Sequence, residues 1–215
     1  MMKKSFLVLG FIALGFSLVF SSCKKDDEKK KEENTNPTIK TGEITLSKTE
    51  LYKDDWVYFS FESGAEVSGV DSNNYKDQPN WDIAFHSRLG RTNSGYSTNN
   101  GIGGIYEAGT DFAAVEVADN NAIITDSIVK LISGIDYVTG PIYKNVPGNI
   151  TFDGAIDADN SHPPIYTVND MVYVIKTANG KYAKIQIFDF SDDQGESGHI
   201  VFKYAYQTDG SLKLK

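Results

Sequence analysis

The sequence predicts a single all-β domain with little helix, built from antiparallel sheets and ending in a C-terminal β-meander. Two observations support this fold class. From Glu43 onward apolar residues alternate with polar ones, which is the two-residue period of a strand and not the period of a helix. Clusters of glycine, proline, asparagine and serine separate the apolar runs, as turns do between strands. The length of 215 residues suits one domain after an N-terminal leader.

Residues 1–22 predict a signal peptide. Two lysines precede an apolar run over residues 6–20, which is shorter than the ~20 residues that a membrane-spanning helix needs. The segment ends in Ser21, Ser22 and Cys23. Small residues before a lone cysteine resemble the lipobox of bacterial lipoproteins, whose cysteine becomes a lipidated N-terminus. Two or three acyl chains on Cys23 are enough for stable anchoring. An ordinary secretory signal followed by an incidental cysteine is the alternative.

Residues 23–40 predict the lipidated cysteine and a charged, flexible tether. Residues 24–33 include no apolar side chain, so this segment cannot bury enough surface to order itself. Fully extended, the tether reaches at most ~60 Å. Acidic residues at positions 26–28 resemble the surface-export signal of lipoproteins in some Gram-negative bacteria. We therefore expect an outer-membrane lipoprotein facing the cell exterior, with a periplasm-facing anchor as the second choice.

The β domain is expected over residues 41–215, and its N-terminal half contains two predicted half-buried strands. Residues 56–62 place three apolar side chains on one face: Val57, Phe59 and Phe61. Residues 81–86 repeat the pattern with Trp81, Ile83 and Phe85. Only residues 126–133 have a helical pattern, and that segment is short.

The C-terminal third predicts the meander. Runs 167–177 and 181–190 are joined through Asn179 and Gly180, a pair typical of a type I′ turn, in which both central residues have positive φ. Run 198–207 follows. It places four large side chains on one face: Ile200, Phe202, Tyr204 and Tyr206.

Two stretches, 87–109 and 138–164, are predicted as long loops. Long loops carried by a rigid sheet are often functional. The second stretch is rich in proline and glycine, and we expect the ligand site there.

Composition argues against several function classes. The net charge is −8 and no basic stripe is present, so nucleic acid is not an expected partner. Cys23 is the only cysteine, which excludes a disulfide scaffold and a multi-cysteine metal site. Three histidines leave little material for a zinc enzyme, and the sequence contains neither a Gly-x-Ser-x-Gly nor a His-Glu-x-x-His motif. We expect a binding protein and no enzyme.

His162 is the candidate metal-ligating residue. It precedes Pro163 and Pro164 in the second loop, and neutral imidazole is a common ligand of metals and of haem iron. A solvated loop histidine is the alternative. His86, at the end of a strand, is expected to have a structural role, and His199 to be solvated.

Tyr143 and Tyr166 flank the candidate loop and offer an apolar ring with a polar tip. They are further candidates for ligand contact. The alternative is that they lie on solvated sheet faces without a role in binding. Met171, the one methionine outside the signal segment, is a weaker candidate because its position in a strand is more typical of the core.

The domain also resembles a known family, the HmuY-like lipoproteins. Three N-terminal runs carry the resemblance: Trp56-x-Tyr58-Phe59-Ser60-Phe61, Asn80 to His86 and Arg91 to Gly95. Three C-terminal runs are closer still: Val172 to Lys176, Asn179 to Ile187 and Gly198 to Gln207. With Cys23, the similarity extends over nearly the whole mature domain.

The resemblance implies an all-β outer-membrane lipoprotein that captures haem and passes it to a TonB-dependent outer-membrane receptor, as in iron acquisition. It also implies two ligand-bearing segments for the haem iron. The first corresponds to about residues 120–145, which contain no histidine or methionine. In the second, Thr151 to Gly154 aligns with the ligand-bearing turn and places Gly154 where a histidine would be. His86 matches a histidine of the fold signature that is not an axial ligand.

Two functions therefore remain open from the sequence. The protein is a surface lipoprotein that binds haem or a related porphyrin, with His162, Tyr143, Tyr166 and Met171 as candidate contacts. Alternatively, the same scaffold has lost haem and binds another ligand or a partner protein.

Overall fold

The computed structural model describes residues 39–215, so the predicted signal peptide, Cys23 and most of the predicted tether lie outside the described residues. The described part confirms the all-β prediction, with thirteen strands and three single-turn 3-10 helices. Between residues 39 and 215, no helix has the length and apolar character needed to cross a membrane.

The connections between consecutive strands range from short turns to the long segments between β3 and β4 and between β6 and β7. Their bounds are β1 Ile39–Thr45, β2 Val57–Ser60, β3 Ala65–Glu66, β4 Ile83–His86, β5 Leu89–Thr92, β6 Gly104–Gly109, β7 Ser127–Asp136, β8 Gly140–Gly148, β9 Ile156–Ala158, β10 Tyr166–Val168, β11 Val172–Lys176, β12 Tyr182–Ser191 and β13 Ser197–Gln207. The 3-10 helices are Tyr75–Asp77, Gly95–Ser97 and Ile150–Phe152.

The largest sheet has five strands in the order β1-β13-β12-β11-β6, all antiparallel. Its central three strands are the predicted meander. Strand β1 lies at one edge and begins with the pair Ile39↔Gln207, two residues before the domain boundary predicted at residue 41. Backbone hydrogen bonds hold an edge strand in place, so its side chains need not be apolar. The polar side chains around Lys40 therefore did not predict strand β1.

The turn between β11 and β12 differs from the predicted type I′ turn. Gly180 has a φ of +83°, whereas Asn179 does not have a positive φ. The amide of Gly180 donates to the carbonyl of Thr177 at 3.0 Å, and the amide of Thr177 donates to the carbonyl of Lys181 at 2.9 Å. These bonds describe a three-residue loop with a bulge at glycine, which needs only one left-handed residue.

A second sheet has the order β3-β2-β4-β5, and its strands β2, β4 and β5 are largely buried on both faces, whereas β3 is exposed. Phe59 and Phe85 face the main core, together with side chains of the five-stranded sheet. Tyr58 and Trp81 pack on the opposite face, with ring centroids 5.1 Å apart. The prediction that Trp81 shares a face with Ile83 and Phe85 is therefore wrong. Trp81 precedes β4, so the strand alternation does not extend to it.

The segment with the helical pattern, 126–133, forms most of strand β7, and part of the second predicted loop forms β8. The two strands pair only with each other within the described residues. On their inner face Leu131 and Val146 are buried against the second core cluster. At the tip, Tyr137 and Val138 are 101% and 93% exposed. We call β7 and β8 with this tip the hairpin arm.

The buried carboxylate of Asp126 fixes the base of the hairpin arm. It accepts hydrogen bonds from the amide and hydroxyl of Thr92, at the end of β5, and from the hydroxyl of Ser97. The side-chain amide of Asn149, which follows β8, donates to it at 2.9 Å. Burial raises the pKa of Asp126, and the donated hydrogen bonds act in the opposite direction. Both ends of the arm therefore meet at one carboxylate.

Asp82 joins the second sheet to the meander. One carboxylate oxygen accepts from the amide of Phe61 at 2.8 Å, and the other accepts from the amide of Ala178 at 3.0 Å. Burial raises the pKa of Asp82 to about 6, against the lowering effect of these two amides.

We expect Asp126→Ala to lower the free energy of unfolding by about 3 kcal/mol, because it leaves several buried donors without an acceptor. Urea denaturation followed by circular dichroism measures the change. Asp193→Ala removes an exposed carboxylate and is expected to change stability by less than about 0.5 kcal/mol. Equal effects of the two substitutions would contradict the anchoring role.

We expect Asp82 to make the protein less stable as pH rises from about 4 to about 6. The folded-state pKa lies above the unfolded value of 3.8, so this contribution is fully present below about pH 4 and is lost through the folded pKa. Two pKa units correspond to about 3 kcal/mol. Urea denaturation at several pH values compares wild type with Asp82→Asn, which lacks this titration. A stability difference independent of pH would contradict the shift.

Candidate functional site

A cleft of about 440 Å³ lies between the hairpin arm, the turn from β4 to β5 and the segment 153–166. Its volume falls in the range typical of small-molecule sites. Most of the wall is aliphatic or aromatic. These side chains are Leu51, Tyr52, Leu89, Leu131, Ile132, Ile135, Pro141, Tyr143, Ile156, Pro164 and Tyr166.

The arm presents two cross-strand pairs to this cleft, Ile132↔Tyr143 and Ile135↔Pro141. The register shifts between Ile132 and Gly134, because an additional residue forms a bulge. A bulge changes which side chains share a face. Two isoleucines three positions apart therefore line the same apolar wall.

Two cationic side chains lie on the wall of the cleft, Arg88 and Lys130. The Arg88 guanidinium donates from Nη1 to the carbonyl of Ile156 at 3.0 Å, which ties the β4–β5 turn to β9. The Lys130 ammonium lies 5.8 Å from the ring centroid of Tyr143. Asp153 and Asp157 contribute carboxylates. The cleft is thus an apolar slot with a few charged groups, the composition typical of a site for an amphipathic ligand.

The structure brings some of the predicted contact residues together and leaves others apart. Tyr143 and Tyr166 both line the cleft, and the Tyr166 ring packs 4.7 Å from that of Phe190. His162 is exposed and lies outside the lining, although Pro164 is part of it. Met171 is also outside the lining and packs against the main core.

Sequence reasoning missed Arg88 and Lys130, since a single cation in a turn or on a strand has no distinctive pattern. It also missed Leu51 and Tyr52, which lie in a loop far from the predicted site in sequence.

His86 lines the inner end of the cleft but is only 1% exposed. Its Nδ1 is hydrogen-bonded to the carbonyl of Asp55, so Nδ1 carries the proton and Nε2 is an acceptor. Nε2 is buried and has no hydrogen-bond partner. The ring packs 5.7 Å from that of Trp56, and burial lowers the pKa of His86. These contacts describe a neutral histidine held within the sheet.

Two other features are weaker candidates for the site. A cavity of about 530 Å³ beside Asp82 is lined mainly by serine, asparagine and acidic side chains, including Glu62 and Glu66. At the β12–β13 turn, ligand atoms of Asp192, Glu196 and His199 lie within 4.8 Å of one another. There, however, the Lys48 ammonium already pairs with Glu196 at 2.7 Å.

Comparison with known proteins places the fold. The sequence pattern of the HmuY protein family matches residues 52–204. No curated protein matches the chain. A crystal structure of an apo HmuY analog from Tannerella forsythia is similar, with a TM-score of 0.61 and 21% identity over 80% of this chain and 98% of that one.

Two Bacteroides structures are also similar. A B. vulgatus protein described as HmuY-like and haem-binding has a TM-score of 0.58 and 24% identity, and the match covers 79% of this chain and 93% of that one. A B. fragilis protein described as a lipoprotein has a TM-score of 0.58 and 19% identity, over 79% and 90% of the two chains.

The family match spans most of the described domain, and the solved structures share its architecture over nearly their whole lengths. The chain belongs to the HmuY family.

Proposed function

We propose that the protein binds haem or a related porphyrin in the cleft beside the hairpin arm. The observation that carries this proposal is the convergence of two distant segments. The segments that correspond to the ligand-bearing parts of the family, about 120–145 and 151–154, both contribute to the lining of this one cleft. A B. vulgatus relative described as haem-binding supports the same ligand class.

The chemistry of the lining suits the two parts of a porphyrin. Apolar walls such as Ile132 and Ile156 remove the flat ring from water, which is favourable in proportion to the apolar area buried. Arg88 and Lys130 supply positive charge in the lining, which would favour pairing with the two carboxylates that haem carries at one edge. When bound, haem supplies a redox-active iron, whereas the residues of this cleft supply the binding surface.

We further propose that this binding domain is attached to the outer membrane through a lipidated Cys23, faces the cell exterior and delivers its ligand to a TonB-dependent receptor. The lipobox-like sequence, the acidic residues behind it and the family support this role. Iron acquisition by capture and transfer needs a binding site and no catalysis. If the cleft does not bind haem, the alternative is an HmuY-type lipoprotein for another ligand or a partner protein.

Titration of ferric haem into the purified protein tests the binding function. We expect a saturable shift of the Soret band with one haem per chain. Ile132→Asp, which places a carboxylate in the apolar wall, is expected to weaken binding at least about tenfold.

Ile128→Asp is the matched control, because Ile128 lies on the same strand and is exposed but does not line the cleft. We expect its haem affinity to equal that of wild type. A Soret shift that does not saturate, or equal loss in both variants, would exclude the cleft as a haem site.

A further inference from the structure

We infer that the cleft recognises the porphyrin ring and its carboxylates without coordinating the central metal, so that metal-free protoporphyrin binds as tightly as haem. The inference rests on the proposed function and specifies its ligand class more closely. It follows from the donor atoms that the wall of the cleft offers.

Haem iron is held in proteins by histidine, methionine, cysteinate or tyrosinate. Within residues 39–215, the lining of the cleft includes no methionine and no cysteine, and His86 is its one histidine. The other donors of this kind in the lining are the phenols of Tyr52, Tyr143 and Tyr166. An iron ligand would therefore have to be His86, a tyrosinate or a residue from outside the wall.

His86 is not available to an iron in the cleft. Its Nε2 is buried, its Nδ1 is held by the carbonyl of Asp55, and its ring packs on Trp56. Turning the imidazole toward the cleft would break its hydrogen bond to the carbonyl of Asp55 and its contact with the Trp56 ring.

The tyrosines take part through their rings. A tyrosinate ligand would bind iron through its phenol oxygen. The Lys130 ammonium lies over the face of the Tyr143 ring, and the Tyr166 ring packs on Phe190. Both contacts use the aromatic surface, which is also the surface on which a porphyrin stacks.

His162 and Met171 do not supply the missing ligand in this arrangement. His162 is exposed on the 159–165 connection, where the carboxylate of Asp159 accepts from the amides of Ser161 and Ile165. Met171 packs against the main core. Apart from the three tyrosines, what remains in the cleft is apolar wall with the cations of Arg88 and Lys130 and the carboxylates of Asp153 and Asp157. None of these groups is among the usual ligands of haem iron.

Competition between two porphyrins tests the inference. Protoporphyrin IX is titrated into the purified protein and followed by its own fluorescence, and ferric haem is then used to displace it. We expect the two dissociation constants to agree within about fivefold. His162→Ala is expected to leave both constants unchanged. Tyr52→Phe, Tyr143→Phe and Tyr166→Phe keep the ring and remove the phenol oxygen, so any change is expected to affect the two porphyrins equally. Lys130→Glu should weaken both porphyrins in parallel, by about tenfold. Lys213→Glu, an exposed charge reversal outside the cleft, should weaken neither.

Each possible result of this experiment either supports or overturns the inference. Haem binding more than about fivefold tighter than protoporphyrin, or a selective loss of haem affinity in His162→Ala or in any of the three tyrosine variants, overturns the inference and leaves the proposed function standing. Failure of both porphyrins to bind saturably overturns the inference and the proposed function together. The absorption spectrum of the haem complex gives an independent measure, since an axial histidine, methionine or tyrosinate changes the Soret position and the inferred complex should not change with these substitutions.

Discussion

The cleft exists because one buried carboxylate anchors the hairpin arm at both ends. A two-stranded hairpin is at best marginally stable alone, and this one pairs with no other strand in the described part of the chain. Asp126 precedes β7 and Asn149 follows β8. The Asp126 carboxylate accepts hydrogen bonds both from Asn149 and from Thr92 of the second sheet, which forms a single cluster. The residues with which the arm lines the cleft, including Lys130 and Tyr143, are positioned by this anchor together with the packing of Leu131 and Val146.

A second buried carboxylate has a comparable structural task. Asp82 accepts backbone amides from two different sheets, in a position where an apolar side chain would leave both amides unsatisfied. The domain thus packs its sheets through aromatic clusters such as Phe59 with Phe202 and fixes their mutual placement through buried carboxylates that accept several hydrogen bonds each. Apolar packing between the sheets supplies the hydrophobic stabilisation, and the two carboxylates fix the position of one sheet relative to its neighbours.

Much of the fold was predictable from sequence, because the runs that form β11 to β13 are rich in β-branched and aromatic residues and are separated by turn residues. Prediction was wrong where alternation was extended beyond a strand or is interrupted within one. Trp81 precedes β4, so the alternation of that strand does not assign its side, and the bulge in β7 interrupts the period of the arm and imitates a helical spacing. For the site, Tyr143 and Tyr166 could be selected from their place beside a long loop. Arg88, Lys130 and Leu51 could not, because only the three-dimensional pairing of distant segments brings them to one wall.

The edge position of β1 has a mechanical consequence. The chain enters the domain at Ile39, so any pull transmitted from the N-terminal side acts first on the pair Ile39↔Gln207 and then on the following pairs of the β1–β13 ladder. A load directed away from the sheet opens an edge strand one pair at a time, whereas a load directed along the strand must shear several pairs together. The hairpin arm and the β9–β10 ribbon lie outside this ladder. A load applied at Ile39 would thus strain the edge of the large sheet before it reaches the strands that line the cleft.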